Sequence, residues 1–499
     1  MKMKKLLTAV SALALAAWLG STVLAAGTDL VIGIDTDIDT LHLSDYSTTN
    51  EMRILSQVYD TLMYYSPDGT QDPEPRIAES YEISDDGLDY TFHLRDDVTF
   101  HDGTLLTADD VVFSLETYLD SDYQGSNVAG LESVEAVDDT TVVCHLSSAY
   151  SPFMQGVCSC HIGSRAYAES ASEEDFANNP VGTGPYRFVS HTIGSSVELE
   201  AYDGYYRGEA SIKNVTFKVV PDAATTAIAL QTGEISFADI DASVLPQLQA
   251  NSSIAIYEVP TSGFTYVCMN LEKEPFNDVR VRQAINYALN RDNIVAVCYE
   301  GEAEVNSNIC ARTRFGYSDD QFQYTYDPDR AKELLAEAGI EEGTDLGQIL
   351  VAEKYSNLAT VIQADLAAVG LNVTISVKEF NAYIGDLTSG NYDITALEMS
   401  LEGDTQQLEM AFVTDYIGTA NNARYSDEEM DALFAQAQIE TDTDARAEIF
   451  DQIFSKAQDE AIYAVICNPL TLFAANANLN APEFVLEGQY YLYDFSWTE

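Results

Sequence analysis

The cysteines and histidines come first, because thiolates and imidazoles are the usual side-chain ligands of zinc. Cys158, Cys160 and His161 form a single C-x-C-H cluster. A structural zinc site normally has C-x-x-C spacing and a second pair of ligands, so we interpret these residues as thiols and an imidazole without a metal. The seven cysteines follow no disulfide spacing, which leaves one disulfide between unidentified partners as an open alternative.

Carboxylates are the second chemical group with suggestive spacing. Asp35, Asp37 and Asp39 match the opening positions of a calcium-binding loop. The pattern then fails, because Thr40 stands where that loop needs Gly and Tyr46 stands where it needs Glu. We therefore interpret the segment as a polar exit from a strand.

The sequence contains no motif of a known catalytic class. It lacks the G-x-S-x-G nucleophile elbow, the H-E-x-x-H zinc helix and the P-loop. Gly182 and Gly184 resemble the start of a phosphate-binding loop, but Arg187 occupies the third glycine position. We expect no catalytic residues, no metal and no cofactor, and hence a protein that is not an enzyme.

Acidic residues dominate the composition and narrow the possible partners. The 499-residue chain has 81 Asp and Glu against 24 Lys and Arg, with a formal net charge of −57. Such a surface repels nucleic acid and anionic lipid, so we expect neither as a partner, and it favours cationic or zwitterionic ligands. The chain is longer than a single core supports, which predicts two or three lobes.

The first 26 residues have the order of a secretory signal peptide. Lys2, Lys4 and Lys5 precede an apolar run, and Ala25 and Ala26 provide a cleavage point. We expect an exported protein that starts near residue 27, in a periplasm or at the extracellular face of the cytoplasmic membrane. Lipid anchoring requires a Cys at the cleavage point, and none is found there, so we expect no acyl anchor.

Strands and helices alternate along the rest of the chain. Tyr90, Phe92 and Leu94 alternate with polar residues, which predicts a strand with one buried face. Thr107 and Asp110 have the spacing of a capping box and predict the start of the next helix. The alternation continues through residues 345–400, which is typical of an α/β fold.

One long block resembles a known family. Residues 77–114 contain the strings IAESYE, SDDG, YTFHLR, FHDGT and LTADDVVFS. This block closely resembles the hallmark segment of the family 5 extracellular solute-binding proteins, which are the oligopeptide, dipeptide and nickel receptors of ABC importers. Three later blocks resemble the same family in the same order, namely NPVGTGPY at 179–186, FNDVRVRQAI at 276–285 and YDPDRAKELL at 326–335.

The resemblance implies a fold, a division of the chain and a function. The fold is α/β, a two-lobe periplasmic-binding-protein clamp of class II type with an additional N-terminal subdomain. The implied parts are the signal peptide at 1–26, lobe I at 27–60, 181–275 and 481–499, an inserted subdomain at 61–180, and lobe II at 276–480. The implied function is to capture a small ligand, most simply a short peptide, and to deliver it as a monomer to the membrane permease subunits of an ABC transporter.

The resemblance also implies the residues of the ligand site. Peptide-binding members hold the ligand's amine with an aspartate, because a buried ammonium needs a carboxylate partner. Register places Glu402 at this position, with Asp404 as the second candidate, but Met399 replaces the family's Trp and the Asp-Pro pair is missing. The other ligand-facing residues implied are Ser400, the loop residues Ser47, Thr48, Thr49 and Asn50, and Tyr266 as an aromatic wall at the hinge.

Other ligand classes stay open at this point. Nickel-binding and haem-binding members belong to the same family, and the missing Trp and Asp-Pro pair is compatible with a pocket reshaped for a neutral solute. All six histidines lie at or before His191, so we expect no metal held by imidazole in lobe II. A nickel chelate, haem or another non-peptide solute, and ligand sensing without transport, are the alternatives.

Overall fold

The computed structural model describes residues 28–65, 73–312, 314–318, 320–400, 403–481, 484–485 and 489–498. The expected signal peptide at 1–26 lies outside these residues. Among the residues that are described, every helix is too short or too polar to span a bilayer.

The strands range from two to fourteen residues in length. They are β1 Asp29–Ile34, β2 Met63–Tyr65, β3 Pro73–Pro75, β4 Ala78–Ile83, β5 Asp89–Leu94, β6 Leu131–Asp138, β7 Thr141–Leu146, β8 Tyr186–Thr192, β9 Ser196–Ala201, β10 Asn214–Val219, β11 Phe237–Asp239, β12 Ile254–Pro260, β13 Phe264–Met269, β14 Ala303–Val305, β15 Thr344–Ala352, β16 Leu371–Lys378, β17 Ile394–Met399, β18 Tyr463–Asn476, β19 Leu479–Asn480, β20 Phe484–Val485, β21 Gln489–Tyr490 and β22 Ser496–Trp497.

The helices alternate with these strands, as the sequence predicts. They are α1 Thr49–Val58, α2 Ala108–Leu119, α3 Phe153–Val157, α4 Arg165–Ser170, α5 Glu173–Asn178, α6 Ala223–Thr232, α7 Leu245–Gln249, α8 Val279–Ala288, α9 Arg291–Cys298, α10 Pro328–Glu337, α11 Ser356–Ala368, α12 Phe380–Ser389, α13 Glu409–Phe412, α14 Glu428–Ile439 and α15 Thr443–Asp459. Several begin at an acidic or hydroxyl cap, such as Asp278 before α8 and Asp327 before α10.

One long strand, β18, joins the two halves of the molecule. Its first part pairs with β13 and β14, and its second part pairs with β12 and β11. The strands beyond β13 are β17, β15 and β16, and those beyond β11 are β1, β10, β9 and β8. The partners of β18 change between Pro469, opposite Ala303, and Leu470, opposite Pro260. This point is the hinge.

The hydrophobic cores divide at the same place. Two clusters use residues up to Val259 and from Phe473 onwards, and three others use residues between Phe264 and Cys467. Packing and pairing therefore place β13 in lobe II and the end of β18 in lobe I. The boundaries expected at 275/276 and 480/481 are corrected accordingly, because a strand belongs to the sheet that buries its side chains.

The inserted subdomain is built on a four-stranded antiparallel sheet in the order β4-β5-β7-β6. Tyr90, Phe92 and Leu94 are buried on one face of β5, which confirms the predicted strand. The capping box before α2 is also confirmed, since the Thr107 N–H donates to the Asp110 carboxylate at 2.9 Å. The subdomain shares one apolar cluster with β1 and β18 of lobe I, so the two form a single packed body.

His101 joins two of the blocks that carry the family resemblance. Its Nδ1 accepts from the Gly182 N–H at 3.3 Å, while Nε2 lies 3.0 Å from the Gly184 carbonyl. This pattern fits a neutral ring protonated on Nε2, because a proton on Nδ1 would oppose the Gly182 N–H. Gly182 and Gly184 are required by close approach, since a Cβ at either position would overlap the backbone of Gln57 or Val58.

We expect this junction to make the protein less stable in mild acid. Burial lowers the pKa of His101 from 6.5 to about 4, so the folded state disfavours the charged ring. The stabilising effect of the neutral His101 ring is complete above pH 6.5 and is lost as the pH falls towards 4. At pH 5 this loss should lower the free energy of unfolding by about 2 kcal/mol relative to its value above pH 6.5. Urea unfolding of the parent and of His101→Gln at pH 7.5 and pH 5 measures the effect. The variant should lose about 2 kcal/mol less than the parent on acidification, and an equal loss in both proteins would contradict the assignment.

Candidate functional site

Both lobes point the carboxyl ends of their parallel strands at the hinge. In lobe I these strands are β10, β1 and β11, and in lobe II they are β16, β15 and β17. Asp239 at the end of β11 pairs with Phe473 of β18, whereas Met399 at the end of β17 pairs with Phe264 at the start of β13. Because β18 crosses the hinge between these points, the two strand edges face each other. Ligands of open α/β sheets bind at such carboxyl edges.

The lobe I edge contains a cavity of about 790 Å³. Its size suits a small organic ligand rather than a single ion. The four loop residues named from the sequence, Ser47 to Asn50, all line it. The described residues that line it are Gly33, Ile34, Asp35, Thr36, Ser47, Thr48, Thr49, Asn50, Arg53, Val220, Pro221, Ala223, Thr226, Asp239, Ile240, Asp241 and Thr471.

The loop before α1 is held by Glu51, which is buried beneath it. The Glu51 carboxylate accepts N–H groups of Asp39, Thr40, Ser47 and Thr48 at 2.9–3.2 Å. Burial alone raises the pKa of Glu51, but these donors together hold it below its usual value. The backbone N–H groups of Ser47 and Thr48 are thus already used and are not available to a ligand.

The remaining loop residues are fixed in a similar way. The Asn50 amide donates to Asp35 Oδ1 and to the carbonyl and hydroxyl of Thr36, each at 3.0 Å. The Thr48 side chain caps α1 in a capping box with Glu51. These contacts present the loop to the cavity as a rigid wall.

The lobe I cavity carries a net negative charge. Asp35, Asp239 and Asp241 line it, and Arg53 is the one cation in its described lining. Arg53 is buried, donates to Asp239 Oδ2 at 2.8 Å and lies 5.3 Å from the ring centres of both Phe473 and Tyr490. The arrangement suits a ligand with a cationic group.

On the lobe II edge, one of the two candidate acids, Asp404, can be placed. Met399 ends β17 half-buried and Ser400 is exposed, whereas Glu402 lies outside the described residues. Asp404 is buried, and both its oxygens accept from the Arg446 guanidinium, Oδ2 at 2.8 Å. Burial alone raises the pKa of Asp404, but the charge and hydrogen bonds of Arg446 hold it below its usual value. Asp404 therefore has its counter-charge already, which corrects its assignment as an amine-binding acid.

Tyr266 does not border the cleft. It is fully buried in lobe II, where its ring packs against Phe264 and Tyr463 with centroids 5.3 and 5.0 Å away. Asn422 Nδ2 lies 3.4 Å from its hydroxyl. Every residue of β13 is buried because this strand lies in the middle of the sheet, and this contradicts the assignment of Tyr266 as an aromatic wall.

Comparison with known proteins agrees with this architecture. The family model of the bacterial extracellular solute-binding proteins, family 5 Middle, matches residues 72–413. The chain belongs to this family. The resemblance found in the sequence is confirmed.

Individual family 5 proteins resemble the chain over most of its length. Heme-binding protein A of Haemophilus influenzae is 33% identical over 435 residues, with 79% of each chain covered. The dipeptide-binding protein of Escherichia coli is 31% identical over 438 residues, covering 80% of this chain and 82% of the relative. The structure of HbpA2 from Haemophilus parasuis has a TM-score of 0.86 at 29% identity, covering 95% of this chain and all of that one. The predicted two-lobe fold is confirmed.

Two further residues lie on the lobe II edge but were not singled out from the sequence. Lys354 and Tyr355 follow Glu353, the first residue after β15, and lie at the same edge as Met399. Lys354 is exposed, its Nζ lies 4.5 Å from the centre of the Tyr355 ring, and within the described chain it makes no ion pair with a carboxylate. Their position just after a strand of the parallel set is the signal that identifies them.

Metal ligation was one of the alternatives considered from the sequence. The described residues contain no group of three or more His, Cys, Asp and Glu arranged to hold a metal ion. His161 is fully buried and stacks on Tyr59 at 5.7 Å, and burial lowers its pKa to about 4. All seven cysteines are free thiols in this structure.

We expect Asp404 to contribute to stability. Asp404→Asn leaves the Arg446 charge buried without a partner, so the free energy of unfolding should fall by about 3–5 kcal/mol. Asp415→Asn, an exposed acid of the same lobe, should change it by less than about 0.5 kcal/mol. Chemical denaturation of both variants is the measurement.

A double variant separates this role from ligand binding. Asp404→Leu combined with Arg446→Met removes both charges, and it should recover most of the lost stability. A parent-like unfolding curve for Asp404→Asn, together with weakened ligand binding, would show that Asp404 is a ligand residue after all.

Proposed function

We propose that the protein captures a short peptide, or a similar small zwitterion, between its lobes. It acts as a monomer on the extracytoplasmic side and delivers the ligand to the permease subunits of an ABC transporter. The observation that carries the proposal is the pair of facing strand edges. The lobe I edge has a cavity of about 790 Å³ with net negative charge, and the lobe II edge presents Lys354, an exposed cation that forms no ion pair with another described residue.

The proposed ligand lies across the ends of neighbouring strands of lobe II. β15, which precedes Lys354, pairs directly with β17, which precedes Glu402. In the proposed pose, the ligand's carboxylate binds Lys354 and its amine binds Glu402, the position implied by the family resemblance. The lobe I carboxylate Asp241 closes over the amine from the other side, whereas Asp239 already has Arg53 as its partner. Both charged ends of the ligand then meet opposite charges, as burial requires.

The composition of the cavity favours a peptide over the metal-containing alternatives. Its described lining contains no histidine or cysteine that could ligate nickel or haem iron, and it includes three aspartates. Relatives include proteins named for haem, dipeptide and oligopeptide binding, so the family accommodates each class. An intact nickel chelate, haem or a neutral solute bound in place of a peptide, and sensing without transport, are the competing readings.

We expect separate contributions from the two ends of the ligand. With the dipeptide that the protein retains most tightly from a mixed dipeptide library, Glu402→Gln and Lys354→Met should each weaken binding by about 1.5–3 kcal/mol. Lys332→Met, which removes an exposed lysine of α10 without an ion pair, should leave affinity unchanged. Calorimetric titration gives the affinities.

Modified dipeptides assign each residue to one end. N-acetylation of the ligand should remove the effect of Glu402→Gln, and C-terminal amidation should remove the effect of Lys354→Met. If both variants bind the unmodified dipeptide as tightly as the parent does, the proposed pose is wrong.

We expect binding to close the lobes without chemical change. Closure requires only that the ligand favour the closed arrangement, since it contacts both strand edges there. Small-angle scattering should show a smaller radius of gyration with the dipeptide than without it. Mass spectrometry of the recovered dipeptide should show it intact, and a hydrolysed product would refute a purely binding function.

A further inference from the structure

The subdomain touches lobe II at a second place besides the hinge. The Ser151 N–H donates to the Gln438 carbonyl at 2.7 Å, and the Ser151 hydroxyl donates to the Ala437 carbonyl at 3.2 Å. Away from the hinge, these are the hydrogen bonds that the described residues of the two bodies make to each other. Because the subdomain and lobe I form one packed body, Ser151 connects that whole body to lobe II.

The contact uses the open end of a lobe II helix. The last carbonyls of a helix have no partner within it, and α14 ends at Ile439. The Gln438 carbonyl is one of these groups, and Ser151 supplies its hydrogen bond. The Ala437 carbonyl also accepts from Arg446 Nε at 3.0 Å, so it is held by its own lobe as well. The subdomain thus caps α14 across the boundary between the two bodies.

Two cavities border this contact. Ser151 itself lines a cavity of about 60 Å³, together with Tyr81 of the subdomain and Thr441 of lobe II. Its neighbours in the chain, Tyr150 and Pro152, line another cavity of about 230 Å³, which also has walls from both bodies. The bodies therefore meet narrowly at Ser151 and stand apart beside it. A narrow contact between open spaces lets one body tilt against the other without overlap.

Two connections restrict the relative motion more than one connection does. The hinge lies between Pro469 and Leu470, where β18 changes partners. A rigid body that is held at two points can only rotate about the line through both. The lobe I cavity shares no lining residue with either cavity beside Ser151, so the ligand cleft lies away from this second point. Rotation about the line can move the facing strand edges while the Ser151 contact stays in place.

We propose that the Ser151 contact is a pivot, which stays formed while the cleft closes, and that closure is a rotation about the line from Ser151 to the hinge. The backbone hydrogen bond suits this role because both partners are tied to helices. Ser151 lies two residues before α3, and Gln438 belongs to α14. Separation would take from the Gln438 carbonyl the partner that caps its helix. That a bound dipeptide drives the closure rests on the proposed function.

A covalent link at the contact tests the pivot. A backbone hydrogen bond places the Cα atoms of its two residues within disulfide range, so Ser151→Cys combined with Gln438→Cys should form a disulfide with oxidised glutathione. The linked protein should bind the most tightly retained dipeptide with an affinity within about twofold of its reduced form. Small-angle scattering should show the same decrease in radius of gyration for both forms. The two single cysteine variants, oxidised in the same way, are the matched controls.

Hydrogen exchange of the parent protein is a second measurement, which needs neither cysteines nor a ligand. An amide whose hydrogen bond persists exchanges far more slowly than the same amide in an unfolded chain. The Ser151 amide should exchange at least about a hundredfold more slowly than in the unfolded chain, and the dipeptide should change its rate by less than about threefold. Exchange at the unfolded rate, or exchange about tenfold faster with the dipeptide, would show that the contact opens.

The outcomes separate the pivot from the proposed function. If the reduced form binds and compacts but the linked form binds at least about tenfold more weakly, the contact breaks during closure, and the pivot is wrong while the function stands. If no dipeptide binds the parent, the proposed function fails, and the Ser151 amide decides the pivot. Slow exchange then supports it, and exchange at the unfolded rate overturns it. The same measurement decides if the disulfide does not form.

Discussion

The pairing of β18 on both sides of the hinge is the constraint on which the rest of the structure depends. Its two halves belong to different sheets, and the partners change between Pro469 and Leu470. This single crossing orients the parallel strands of both lobes, so their carboxyl ends meet across one cleft. The polar residues that follow those strands then face each other although they are far apart in sequence. A hinge made of paired strands also limits the relative motion of the lobes to bending and twisting, since sliding would break the pairing.

The charge distribution follows a consistent pattern within this frame. A chain with a net charge of −57 must separate its carboxylates or neutralise them locally. Buried acids have dedicated donors, as Glu51 has four backbone N–H groups and Asp404 has Arg446. The acids of the lobe I cavity, in contrast, share a single arginine. The described lining of the lobe I cavity therefore keeps a net negative charge, which a cationic ligand can neutralise.

Much of the fold was predictable because the family blocks encode local structure. The alternation of Tyr90 and Phe92 and the cap at Thr107 are properties of neighbouring residues, and the structure confirms them. The lobe boundaries were not predictable from the sequence, since they depend on which sheet each strand joins. Tyr266 has an aromatic side chain of the kind that often contacts ligands. It is buried because β13 has a neighbouring strand on each side, which the local sequence does not show.

The site was harder to predict for the same reason. No basic residue close to Asp404 in the sequence indicates an ion pair, because its partner Arg446 lies 42 residues away. Lys354 has no unusual sequence context, and only its place after β15 identifies it. The loop before α1 lines the lobe I cavity, and its role in ligand binding stays a prediction. The sequence does not show that Glu51 already accepts hydrogen bonds from the backbone N–H groups of this loop. Glu402 stays a prediction.

The order of the cores along the chain has a consequence for how the protein is made. The core of lobe I combines residues from Leu30 onwards with residues from Phe473 to Phe495, while the cores of lobe II are continuous between them. During synthesis the middle of the chain is complete before either end can finish packing. The N-terminal part of lobe I cannot complete its core, and keeps apolar strands exposed, until the C-terminal residues have left the ribosome. A chain that leaves the cytoplasm unfolded avoids this interval, because both ends are available when folding begins outside.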